Sequence, residues 1–210
     1  ASAPGGSPVT ADDQPAAPRR RRPVTEIPQH LDEAASRCAF LGIDDDTTAV
    51  LRRSGPVIAS SIPAVLDRFY ALMTEHDDLR RFVPGDTAVR LRAEVGRFWT
   101  ELAEARFDRT HAASRQRVGV IHEQIGLAPQ HYVAGLAVQL DGLIRAITAA
   151  SADPIGAVDA LVRAAFFDMS FVIDAYLDAR VAALRASGEY ASQIMAGLAA
   201  GVAVVDARDR

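Results

Sequence analysis

The chain has 210 residues and a formal charge of −4, with 49% hydrophobic, 24% charged and 6% aromatic residues, an ordinary globular composition with enough apolar material for a full core. The acidic balance excludes a general electrostatic pull toward nucleic acid or an anionic membrane, and a single cysteine, Cys38, excludes an intramolecular disulfide and a cysteine-built zinc site. No apolar run reaches the roughly 18 residues of a membrane span, and the first residues lack the charged-then-apolar pattern of a signal peptide, so a cytoplasmic, reduced protein is expected.

Residues 1–27 are rich in Pro, Gly, Ala and Ser without periodicity and read as a disordered lead-in. The Arg19–Arg22 run within it reads as a solubilising tail rather than an anion site. From 28 to 187 nearly everything reads as helix, and no window keeps a period of two. A short helix is expected from Pro28 to Phe40, ended by Gly42. Asp44–Asp46 caps a second through Arg53. Gly55-Pro56 is expected to break it, and a third helix runs from Val57 to His76 with Ile62, Val65, Leu66, Phe69 and Met73 at helical spacing. After Pro84-Gly85 a fourth carries Leu91, Val95, Phe98, Trp99 and Leu102. A fifth, from Ser114 to Gly126, places Val118, Ile121, His122 and Ile125 on one face.

Two longer helices follow. Pro129 opens one through Ala150, with Tyr132, Leu136, Leu140, Leu143 and Ile147 along it. Asp153-Pro154 caps the next, which is expected to end near Ala186. Its Val158, Val162, Ala165, Met169, Val172 and Tyr176 form a 4-3 seam. Phe166, Ile173, Leu177, Val181 and Leu184 make a second stripe, so this helix needs cover on two sides. Residues 188–210 read differently: Gly188 as a break, Tyr190–Leu198 as a short helix and Gly201–Asp206 as a strand.

Phosphate-loop, serine-elbow and zinc-protease motifs are all missing from the sequence. Its carboxylates read as polar-face residues. Four of the five histidines, His30, His76, His111 and His131, have polar neighbours and read as surface or joint residues. His122 differs, because it lies on an apolar helical face. It is either a core histidine satisfied by a carbonyl or hydroxyl, or the single axial ligand of a haem iron, which needs one neutral imidazole in an apolar cleft. Tyr70 is either a boundary residue with its hydroxyl in water or a donor to a bound diatomic gas. Tyr132 is core filler or a hydroxyl near the histidine helix, and Phe98 and Trp99 read as packing.

The segment from Arg117 to Tyr132 (RVGVIHEQIGLAPQHY) resembles the proximal segment of globin-coupled sensors, haem globins of bacteria fused to signalling outputs. Asp67-Arg68-Phe69-Tyr70 with Leu72 resembles the segment whose tyrosine faces the ligand in that family. The resemblance spans 28 to 186. It implies an all-α globin fold with an extra N-terminal helix and two long C-terminal helices suited to a dimeric four-helix bundle. It further implies haem b held by His122, with Tyr70 on the gas-binding side and Tyr132 supporting the histidine. The cofactor is then expected to touch Phe69, Leu91, Val95, Phe98, Val118, Ile125 and Leu136 as well. A second distal residue would fall at Glu94 or Val95, neither of which is the small hydroxyl residue or leucine of the family.

The expected ligands are O2, CO or NO, in a homodimer joined covalently to an output domain. The tail from Gly197 to Asp206 resembles the start of a PAS domain, and a sensor histidine kinase or diguanylate cyclase would lie beyond it. This segment itself is not read as an enzyme. One competing reading is a haem-free globin-like signalling or dimerisation domain, against which the place of His122 argues. The other is a haem dioxygenase or peroxidase, against which the lack of a distal His or Arg argues.

Overall fold

Residues 33–83, 85 and 88–208 are described in a computed structural model of the chain. The lead-in with Arg19–Arg22, the expected helix start at Pro28 and the joint residue Pro84 lie outside them. Seven helices account for nearly all the described residues: α1 (Glu33–Leu41), α2 (Asp45–Glu75), α3 (Asp77–Arg80), α4 (Ala88–Ala103), α5 (Arg109–Gln124), α6 (Pro129–Ala150) and α7 (Pro154–Arg208). No strand occurs among the described residues.

Two expected breaks are overruled. Asp44 does cap α2, its carboxylate accepting from the Thr47 amide at 2.8 Å, but the helix runs straight through Gly55-Pro56 and Pro63. A mid-helix proline costs about 3 kcal/mol. Here both prolines face solvent, while Leu51, Ile58 and Val65 recur every seven residues on the buried side of α2. Keeping that stripe in one rod buries three large side chains, each worth about 1.5–3 kcal/mol, which offsets the prolines. Ser61 also donates to the Val57 carbonyl at 2.6 Å, bridging the stretch between them.

Nor does α7 stop at Gly188. It continues to Arg208, so Gly201–Asp206 is helical and the expected strand is not formed. An interior glycine costs only about 1 kcal/mol. A solitary strand would leave its backbone groups unpaired, whereas a helix satisfies them internally.

The core lies where α2 crosses α4 and α6 and where α7 crosses α5 and α6. Trp99 of α4 is fully buried at its centre, and its indole N–H donates to Gln139 Oε1 of α6 at 2.7 Å. The crossing of α2 and α6 is close because α6 offers glycines there. A Cβ on Gly135 would stand 3.0 Å from the Phe69 ring, and one on Gly142 would stand 2.8 Å from Val65 Cγ2. The N-terminal α1 is held on α7 by Arg37, which bonds Ser170 Oγ at 2.6 Å, pairs with Asp174 and stacks 4.0 Å over Phe171.

By length and composition alone, α2 and α6 are both long and apolar enough to cross a membrane. They also supply much of this core. Their outer faces carry Arg53, Asp67, Arg68 and Arg145, with Arg68 and Arg145 both paired to Asp141.

Candidate functional site

Asp108 caps α5 by accepting from the His111 amide at 2.9 Å, so the helix begins five residues before the expected Ser114. It ends at Gln124, two residues after His122. Gly126 adopts φ +73°, the left-handed region that favours glycine, and the Leu127 amide closes on the His122 carbonyl at 2.9 Å. The histidine is thus held in the last turn of a capped helix.

Val118, one turn earlier, sets the imidazole. Nδ1 lies 2.9 Å from the Val118 carbonyl, which only accepts, so Nδ1 carries the proton and Nε2 keeps its lone pair. Burial holds the ring below its ordinary pKa of 6.5, with the Val118 bond opposing more weakly. A neutral imidazole with a fixed tautomer is what a metal requires of histidine. Tyr132 of α6 lies against it, ring centroids 5.3 Å apart.

On α2, Tyr70 is 7% exposed and Phe69 meets it edge-on, centroids 5.0 Å apart. Burial raises the Tyr70 phenol above its ordinary 10 against a weaker opposing pull from Arg92, so at neutral pH it is a donor. The Arg92 guanidinium lies 5.0 Å over the Tyr70 ring and is tethered to Asp67 at 2.6 Å. From α4, Val95 and Phe98 pack on the core cluster that contains Leu136, and Leu91 is half-buried. Glu94 points away: it is exposed and paired with Arg97. The inward residue of that pair of candidates is Val95.

Val118 is half-buried, whereas Ile125 is 53% exposed at the C-cap of α5. The face of α5 turned into the core is offset from the expected one and runs His111, Ala112, Arg115, Gly119. Among the described residues no three His, Cys, Asp or Glu side chains are grouped to hold a metal ion. A metal bound through one imidazole needs most of its ligands from a cofactor, and a porphyrin supplies four. The donor set and the aliphatic and aromatic surroundings fit haem.

Two readings of the sequence are corrected here. His111 is buried rather than a surface or joint residue, and Asp168 is a fully buried carboxylate rather than a polar-face one. His111 Nε2 lies 2.5 Å from Asp168 Oδ1, and Arg115, 2% exposed, places Nε 3.2 Å from Asp168 Oδ2 and donates from Nη2 to Glu101 at 2.8 Å. The signal for Asp168 was present: it interrupts the otherwise apolar run Ala164-Ala165-Phe166-Phe167-Asp168-Met169 of α7. His111 and Arg115 carried none beyond their i, i+4 spacing.

Comparison with known proteins agrees with the resemblance read from the two motifs. The Protoglobin family model matches residues 31–181. The heme-based aerotactic transducer HemAT of Halobacterium salinarum is 29% identical over 164 residues, 70% of this chain and 34% of the transducer, so the chain spans about a third of that relative's length. The globin domain of the Geobacter sulfurreducens globin-coupled sensor shares the fold, with a TM-score of 0.64 at 15% identity over 68% of this chain and 96% of that one.

Proposed function

The chain belongs to the protoglobin family, and from that membership we propose that it is the haem b-binding, oxygen-sensing domain of a cytoplasmic signal transducer. The observation that carries this reading is His122: one neutral imidazole with Nδ1 committed to Val118, leaving Nε2 its lone pair, and Tyr132 packed beside the ring. Haem, when bound, supplies a ferrous iron that takes up O2, CO or NO reversibly.

The chain's own residues do the rest. His122 is the protein ligand, and Tyr132 positions its ring. Tyr70, whose buried phenol stays protonated, would donate a hydrogen bond to the bound gas. Phe69, Leu91, Val95, Phe98, Val118 and Leu136 exclude water, and Ile125 closes the rim. Phe166, Leu177, Val181 and Leu184 leave an apolar stripe of α7 exposed beside the core-facing seam of Ala165, Val172 and Tyr176. That stripe is the surface for a homodimer through α6 and α7, which passes the state of the cleft to an attached output domain.

The test is the absorption spectrum of the purified chain, reduced under argon and then exposed to air or carbon monoxide. A Soret band that shifts with each gas is expected, lost or converted to a weakly held form in His122→Ala and unchanged in His131→Ala. A colourless wild type that takes up no added haem would overturn the reading.

A further inference from the structure

Arg115 touches three helices at once. It belongs to α5, seven residues and hence almost two whole turns before His122, on nearly the same side of the helix. It reaches α4 twice, through Glu101 at 2.8 Å and through the Phe98 ring, over which its guanidinium carbon lies at 4.5 Å. It reaches α7 at Asp168, which His111 also holds. One guanidinium therefore joins α5, the helix that carries His122, to α4 and to α7.

The junction is incompletely paired. Arg115 Nε and Asp168 Oδ2 are 3.2 Å apart but misaligned, and neither makes a hydrogen bond. The Tyr132 and Tyr176 hydroxyls are also buried without a hydrogen-bond partner, their rings 6.4 Å apart. Tyr132 feels the Asp168 and Arg115 charges in addition to its burial. Buried ion clusters add little net stability over an apolar core of the same shape, and their best-attested use is to fix position. The unused donor on Arg115 and acceptor on Asp168 leave this pair bonding capacity that its present alignment does not satisfy. The two helices pack closely at Gly119, where a Cβ would stand 2.5 Å from the Val172 carbonyl oxygen.

We infer that Arg115 is a positioning residue which, with Asp168 and Glu101 as counter-charges, couples gas binding on the His122 side of α5 to the alignment of α7. The inference rests on the haem reading above.

Its test is amide hydrogen exchange across α7 in the haem-loaded full chain, ferrous without gas and under carbon monoxide. In the wild type, exchange in a peptide covering 165–176 should change on carbon monoxide binding by about fivefold or more, the low end of ordinary allosteric coupling. Arg115→Met with Asp168→Asn removes both charges together and keeps the His111 contact. It should hold haem and bind the gas, yet change exchange by about twofold or less. Because that double variant removes buried groups, Glu101→Gln is the companion: Glu101 is 42% exposed and its loss should not affect folding, so a reduced but measurable response is expected. A wild type whose α7 exchange ignores the gas overturns the inference, as does a full wild-type response in Glu101→Gln or in the double variant. A wild type that takes up no haem overturns the parent reading and the inference together, and haem content measured beforehand separates the two failures.

Discussion

Replacing Tyr70 by phenylalanine removes one hydroxyl and little else. The ring sits 7% exposed between the Phe69 edge and the Arg92 guanidinium, and Arg92 is anchored to Asp67 rather than to the phenol oxygen. A phenylalanine ring keeps all of these contacts, so packing and cation–π terms cancel. What changes is a donor that burial keeps protonated at every physiological pH. Dioxygen gains negative charge on binding to ferrous haem, and a hydrogen bond to a charged acceptor is worth about 1.5–3 kcal/mol. At about 1.4 kcal/mol per tenfold, O2 dissociation should accelerate by one to two orders of magnitude. Carbon monoxide gains little charge, and its dissociation should hardly move. Stopped-flow displacement of each gas measures both rates in the same preparation. Equal changes for the two gases, or none for either, would refute the donor role and leave Tyr70 as packing. Glu94 is no substitute donor, since it is exposed and tied to Arg97; Glu94→Ala should alter neither rate, alone or combined with Tyr70→Phe.

The dimer surface is tested by Leu177→Glu, at a residue 58% exposed on the outer stripe of α7; sedimentation should fall from about twice the 22.4 kDa chain mass toward that mass, with haem retained. A wild type that sediments as a monomer at micromolar concentration would refute the dimer. In the haem-free chain, burial lowers the His122 pKa below 6.5, so the unfolded state binds that proton more readily. Its contribution is present above about pH 6.5 and is lost as acid carries the solution through the lower native value. Urea midpoints for wild type and His122→Gln should therefore differ most near neutrality and converge toward pH 5; a gap independent of pH would contradict the assignment.

Helical periodicity was legible in the chain, and so were most of its joints. The bounds of α6 and the caps at Asp44 and Asp153 follow from local chemistry, Asp153 Oδ1 accepting the Gly156 amide at 3.0 Å. Where reading residue by residue failed, a distant partner decided. Pro56 ends a helix by local rule, but Leu51, Ile58 and Val65 find a common core only if α2 does not stop. His111 has polar neighbours in sequence and an aspartate 57 residues away in space. The glutamate or valine ambiguity at 94 and 95 could not be resolved by spacing, because adjacent residues differ by only 100° on a helix; packing on the core chose Val95. The histidine itself stands out by its apolar flank, although two of the three flanking residues, Ile121 and Ile125, are open to solvent.

The length of α7 has a mechanical consequence. Its last buried residue among those described is Tyr176, and the helix continues to Arg208, about 48 Å farther at 1.5 Å per residue. A straight rod multiplies angle into distance: a tilt of about 2° at Tyr176 sweeps the far end through roughly 1.7 Å, more than one residue's rise. Twist travels differently, arriving undiminished but unamplified. Motions too small to disturb the packing around Trp99 can therefore become displacements of bond-length scale at the far end of the same helix. Gly188, Gly197 and Gly201 lie along that lever arm, where added flexibility would let it bend instead of swing.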